Sequence, residues 1–153
     1  MTTVAPAALQ DYVGKSMGAS DWFQIDQDRI NGFADTTLDH QFIHVDPERA
    51  KDTPFGGTIA HGFLTLSLLP HLQTQMSEQV VPEGTQMAMN YGFDKIRFLA
   101  PVKTGARVRA TAVLKDVTEK KPGQLLLTAE YTVEIEGESK PALIADWLVM
   151  YFV

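Results

Sequence analysis

Thr58-Ile59-Ala60-His61-Gly62-Phe63-Leu64-Thr65-Leu66-Ser67-Leu68-Leu69-Pro70-His71-Leu72 is the longest apolar run of the chain. Its apolar residues fall on most sides of a helical wheel, and the run is too long for a strand. It therefore predicts a buried central helix from Thr58 to Met76. Pro70 lies inside it, removes the hydrogen bond to residue 66 and predicts a kink there. A helix that is apolar nearly all round needs cover on most faces, and the cover comes after Pro82. Gln86–Leu99, Arg107–Val117, Gln124–Glu136 and Pro141–Val153 all read as strands. Val108, Ala110, Ala112 and Leu114 alternate with Arg107, Arg109 and Thr111, and Leu125, Leu127, Ala129, Tyr131, Val133 and Ile135 keep the same period. Lys121-Pro122-Gly123 and Glu136-Gly137-Glu138 are hairpin connections, which predicts that consecutive strands are antiparallel neighbours. Gly92 predicts a bulge or a close backbone approach in the first strand. The pattern is that of an α+β protein, a helix packed on an antiparallel sheet, in one domain spanning 1–153.

Upstream, Ala5–Val13 reads as a short amphipathic helix closed by Gly14, and Gly18–Gln24 as a weak strand. Asp26 is the expected N-cap of a helix with Ile30, Phe33 and Ala34 on one face, failing near Thr36-Thr37. Asp46 is the expected cap of a short turn from Pro47 to Lys51. Between these two helices lies Asp39-His40-Gln41-Phe42-Ile43-His44-Val45-Asp46-Pro47, a carboxylate and an imidazole five positions apart in a loop. An acid/base pair beside a helix N-terminus can activate water and hold a developing oxyanion.

Composition excludes several classes. Net charge is −6 and the pI about 5.1, without the clustered basic surface that phosphate neutralisation needs, so no nucleic-acid partner is expected. There is no cysteine, hence no disulfide, thiolate metal site or cysteine nucleophile. No apolar stretch is long enough to span a bilayer, and Met1–Ala8 lacks the character of a signal peptide, so a soluble, cytoplasmic protein without a membrane partner is expected. The four histidines form no His-Glu-x-x-His arrangement, and no metal is expected. Ser67 lacks the Gly-x-Ser-x-Gly turn of an activated nucleophile.

The stretch from Asp39 to Gly62 resembles the signature of the MaoC-like dehydratases, or (R)-specific enoyl-CoA hydratases, and is most similar to the nodulation-protein-N-like branch. Asp39, Ile43, His44, Asp46, His61 and Gly62 stand at the signature positions, whereas Gln41 replaces an asparagine and Phe42 a proline. Arg97-Phe98 with Pro101-Val102 and Gly105 resembles a second family feature, with Ala106 where an acidic residue is usual.

The resemblance implies the hotdog fold, a central helix wrapped by a curved antiparallel sheet, in a homodimer. It implies hydration of 2-enoyl thioesters to 3-hydroxyacyl thioesters, or the reverse, on coenzyme A or acyl carrier protein. Coenzyme A would enter as part of the substrate, and no separate cofactor is expected. Asp39 and His44 would bracket the water, and the Gly62 N–H would donate to the thioester oxygen. Substrate binding falls to Gln41, Phe42, His61 and Arg97. His61 is expected to hold the loop beside the site, and Arg97 either serves the site or is a plain surface strand residue. Two other functions remain compatible with these residues: a hotdog thioesterase, with the same aspartate directing water at the carbonyl carbon, and a non-catalytic acyl-thioester-binding protein.

Overall fold

A computed structural model describes residues 1–153. The period-2 segments form the sheet: β5 (Met87–Phe98), β6 (Arg107–Lys121), β7 (Gln124–Ile135) and β8 (Leu143–Phe152). Val108, Ala110, Ala112 and Leu114 of β6, Leu125 to Ile135 in alternation on β7, and Leu143, Ala145, Trp147, Val149 and Tyr151 of β8 are buried on one face. Each large apolar side chain hidden in this way stabilises the fold by about 1.5–3 kcal/mol. β6 and β7 are joined by Pro122-Gly123, with Gly123 at φ +76°, and pair from Lys121 opposite Gln124 to Val108 opposite Ile135, with slips between Glu119 and Lys121 and between Leu114 and Asp116. The bulge expected at Gly92 is present: the register of β5 against β8 slips between Asn90 and Gly92.

The strands are ordered β2-β6-β7-β8-β5, where β2 is Ser16–Ala19, and the two-residue β3 (Phe23–Gln24) also pairs with β6. The weak strand expected over Gly18–Gln24 is thus two pieces. Ser20 lies between them, exchanging hydrogen bonds with Ala110 through its amide and its hydroxyl. β6, β7 and β8 are consecutive antiparallel neighbours as expected, but β5 is not a neighbour of β6. It pairs with β8, and residues 99–106 cross the end of the sheet to reach β6. The parallel pair of β1 (Thr2–Val4) with β4 (Val80–Pro82) was not expected from the sequence. Pro6–Tyr12 is helical as anticipated, in the tighter 3₁₀ form.

The helix on the inner face is shorter than the apolar run predicts, and it comes in two pieces. α4 is Gly62–Ser67 and α5 is Leu69–Gln73, with Pro70 in the first turn of α5, where its missing N–H costs nothing. Leu64, Leu68, Leu69 and Leu72 belong to the same buried cluster as the inner face of the sheet. Thr58–Ala60 are extended rather than helical because the crossing segment gives their backbone partners. The Ala60 N–H donates to the Val102 carbonyl (2.8 Å), and the Thr104 N–H donates to the Thr58 carbonyl (3.0 Å). No helix is long and apolar enough to cross a membrane.

Candidate active site

α1 (Gln27–Thr37) starts where expected, with the Asp26 carboxylate accepting from the Arg29 N–H at 2.9 Å. Its last turn is loosened by Thr36 and Thr37, whose hydroxyls donate back to the carbonyls of Gly32 and Phe33. Leu38 then takes a left-handed conformation (φ +63°), a strained one for a non-glycine residue, and this reversal delivers Asp39. One helical turn, α2 (Phe42–Val45), carries His44, and α3 (Pro47–Ala50) follows under its Asp46 cap. Gln27 ties α1 to this loop. Its amide N–H donates to the His44 carbonyl at 2.8 Å, while its oxygen accepts from the Thr58 hydroxyl.

These elements bring Asp39, His44 and His61 together: a carboxylate oxygen and one nitrogen from each ring lie within 4.8 Å of one another. His44, 7% exposed, places Nδ1 2.7 Å from the Ile59 carbonyl. A carbonyl only accepts, so Nδ1 carries the proton and Nε2 keeps its lone pair. His61, 2% exposed, likewise donates from Nε2 to the backbone carbonyl of Asp39 at 2.9 Å, tying the head of α4 to the loop. Its Nδ1 is buried without a partner. Burial, and secondarily the neighbouring His61, push the His44 pKa below the ordinary histidine value, against the opposing pull of the Ile59 carbonyl and Asp39. Its neutral, proton-accepting form is therefore favoured.

Two histidines and a carboxylate are a donor set found around metals. Here, however, the two imidazoles stack at 3.9 Å with planes 24° apart. Lone pairs confined to two such nearly parallel, stacked planes do not converge on one point. The arrangement suits proton handling better than metal coordination.

Gly62 opens α4, so its N–H belongs to the first turn and has no acceptor within the helix. No backbone hydrogen bond from it is found elsewhere. Gly62 and His44 line one cavity of about 390 Å³, whose other walls include Phe63, Thr65, Phe98, Pro101, Val102 and Leu143. Val102, Ala142 and Leu143 are buried, whereas Phe63 and Phe98 are exposed at the mouth. The cavity is a mostly apolar slot with His44 and a helix head in its wall, and the exposed Asp39 stands next to His44 outside that lining. That combination positions an apolar chain while handling a polar head group.

Of the expected site residues only His44 and Gly62 line this cavity; Asp39 and His61 adjoin His44, and Gln41, Phe42 and Arg97 lie elsewhere. Gln41 is exposed, with its N–H 3.4 Å from the Asp39 carboxylate. Phe42 packs under the Arg49 guanidinium at 4.3 Å. Arg97 is exposed, donates to its neighbour's carbonyl at Ile96, and by strand alternation faces away from Phe98. Gln27, Phe63 and the Ile59 carbonyl have no signature as site groups, and Phe98 is marked only as part of the second family feature, without a role. Phe98 shares the inward parity of half-buried Ile96, a signal that was present, while a backbone carbonyl leaves no side-chain signature at all.

Residues 8–136 match the family model described as MaoC like domain. The chain is 52% identical over 145 residues to 3-hydroxyacyl-thioester dehydratase Z of Mycobacterium tuberculosis, covering 95% of this chain and 94% of that protein. It is 47% identical over 151 residues to Nodulation protein N of Rhizobium leguminosarum bv. viciae, covering 98% and 92%. The solved structure of an (R)-hydratase from A. caviae involved in PHA biosynthesis superposes with a TM-score of 0.71 at 25% identity, covering 90% of this chain and 94% of that one.

Proposed function

The chain belongs to the MaoC-like dehydratase family, and from that premise we propose that it hydrates 2-enoyl thioesters to 3-hydroxyacyl thioesters, and dehydrates them in reverse, by the joint action of Asp39 and His44 on one water. The water oxygen bonds to C3 while its proton passes to the pair. The π electrons shift through C2 onto the thioester oxygen, and the resulting enolate is held by the Gly62 N–H. A proton returned to C2 completes the addition, with the carbon–sulfur bond untouched throughout. Nothing is oxidised or reduced, so the site has only protons and a transient negative charge to manage. A helix head favours such a charge, and an oxyanion donor is worth roughly a hundred- to a thousandfold in turnover.

The observation that carries this reading is the pinned His44 ring. Its Nδ1–H is spent on the Ile59 carbonyl, its burial favours the neutral form, and the Asp39 carboxylate stands within 4.8 Å. Substrates are acyl thioesters of coenzyme A or acyl carrier protein. The acyl group enters the apolar slot, and the carrier arm leaves past the exposed Gly62 and Phe63. The protein acts as a homodimer, with a second copy adding along β5.

Incubation with crotonyl-CoA and measurement of product mass tests the function. A gain of one water is expected. Release of free coenzyme A would make the protein a thioesterase, and an unchanged thioester would leave a binding protein.

A further inference from the structure

Gly62 and Phe98 are in tight contact. A Cβ built on Gly62 would sit 2.9 Å from both Cδ1 and Cε1 of Phe98, closer than such atoms approach. The Phe98 ring therefore stands directly on the head of α4, and it lines the same cavity as His44. It meets the Phe63 ring edge-on at 5.8 Å. Both rings are solvent-exposed, 49% for Phe98 and 65% for Phe63, so an aromatic pair stands at the rim of the slot.

We propose that Phe98 determines which acyl groups the site accepts at C2: straight 2-enoyl thioesters enter, and thioesters branched by a methyl at C2 are turned away. The inference rests on the hydratase reading above. With the thioester oxygen at the Gly62 N–H, C2 is the next carbon along the acyl chain and lies beside the ring that touches Gly62. A conjugated straight enoyl group is flat and slides past the ring. A C2 methyl adds width beside the carbonyl, where Phe98 stands. The depth of the slot is set elsewhere, by buried Val102, Ala142 and Leu143, so chain length and C2 branching are controlled by different residues.

The test compares kcat/KM for crotonyl-CoA, its 2-methyl derivative tigloyl-CoA and the straight 2-octenoyl-CoA in the wild type, Phe98→Ala and Phe98→Leu. Because a single methylene is worth roughly 10- to 200-fold in discrimination, Phe98→Ala should raise the tigloyl-to-crotonyl ratio by at least about tenfold. Phe98→Leu should fall between, and the octenoyl-to-crotonyl ratio should stay nearly constant. Phe98 is half exposed, so its truncation leaves the core packed, and the leucine variant carries the comparison if the alanine variant folds poorly. An unchanged tigloyl-to-crotonyl ratio in a wild type that hydrates crotonyl-CoA overturns this inference alone, as does an equal rise for octenoyl-CoA. A wild type that leaves crotonyl-CoA unhydrated overturns the function and this inference together.

Discussion

Which protonation state His44 holds decides what the site can do, and its two ring nitrogens have separate tasks. Nδ1 is committed to the Ile59 carbonyl, so only Nε2 titrates into the site. Burial lowers its pKa, which means the neutral form persists to more acidic pH than it would for a solvated histidine. The acid limb of kcat/KM is therefore expected below about pH 6.5, the ordinary histidine value. A limb at or above that value in a pH–rate profile would contradict the assignment. Gly62 makes a second residue-scale prediction. Any side chain there drives into Phe98, so Gly62→Val should cost turnover by crowding the slot at the helix head, with thermal stability changed far less. A melting temperature that collapses along with activity would point to a packing role instead. Asp39, His44, His61 and Gly62 were legible because their spacing forms a motif. The partners that orient them were not, because two are backbone carbonyls, of Ile59 and Asp39, and the third is Gln27, some seventeen positions before His44.

At the level of elements, the break between α4 and α5 matters because it lets α4 be short and aim its first turn at the cavity. The apolar run concealed this, since continuous hydrophobicity carries no period that distinguishes an extended start from a helical one. Thr58–Ala60 are extended only because Val102–Thr104, more than forty residues later, offer a ladder. Pro70 was legible as an interruption, and its place in the first turn of α5 has a measurable consequence. Proline in a helix interior costs about 3 kcal/mol, so its replacement there would stabilise the protein. At a compatible first-turn position, replacing it loosens the unfolded chain, and Pro70→Ala should destabilise by about 0.4–1 kcal/mol. A higher denaturation midpoint in Pro70→Ala would mean that the helix is strained at this point.

For the whole molecule, alternation named the strands and their inner faces but not their order. Period 2 says which side of a strand is buried and nothing about which strand lies beside it. The order places β5 at one end of the sheet, with β8 as its sole neighbour. Its other side is unpaired along the twelve-residue strand, and Met87, Met89, Tyr91 and Phe93 are exposed on it. A long apolar edge is a template for another strand, and a second copy of the chain closes it with twofold symmetry. Sedimentation at micromolar concentration is expected to give a dimer, and a charged substitution such as Tyr91→Glu should shift it towards monomer. A wild-type monomer would remove β5 pairing from the account.

The claim on which the rest depends is that Asp39 and His44 serve a single water. It is tested by kcat/KM for crotonyl-CoA in Asp39→Asn, His44→Gln and the double variant. Each single variant should lose about a hundred- to ten-thousandfold. The double should lose little more than the worse single, because groups acting as one unit do not add. Near wild-type hydration by Asp39→Asn, or losses that multiply in the double variant, would contradict it.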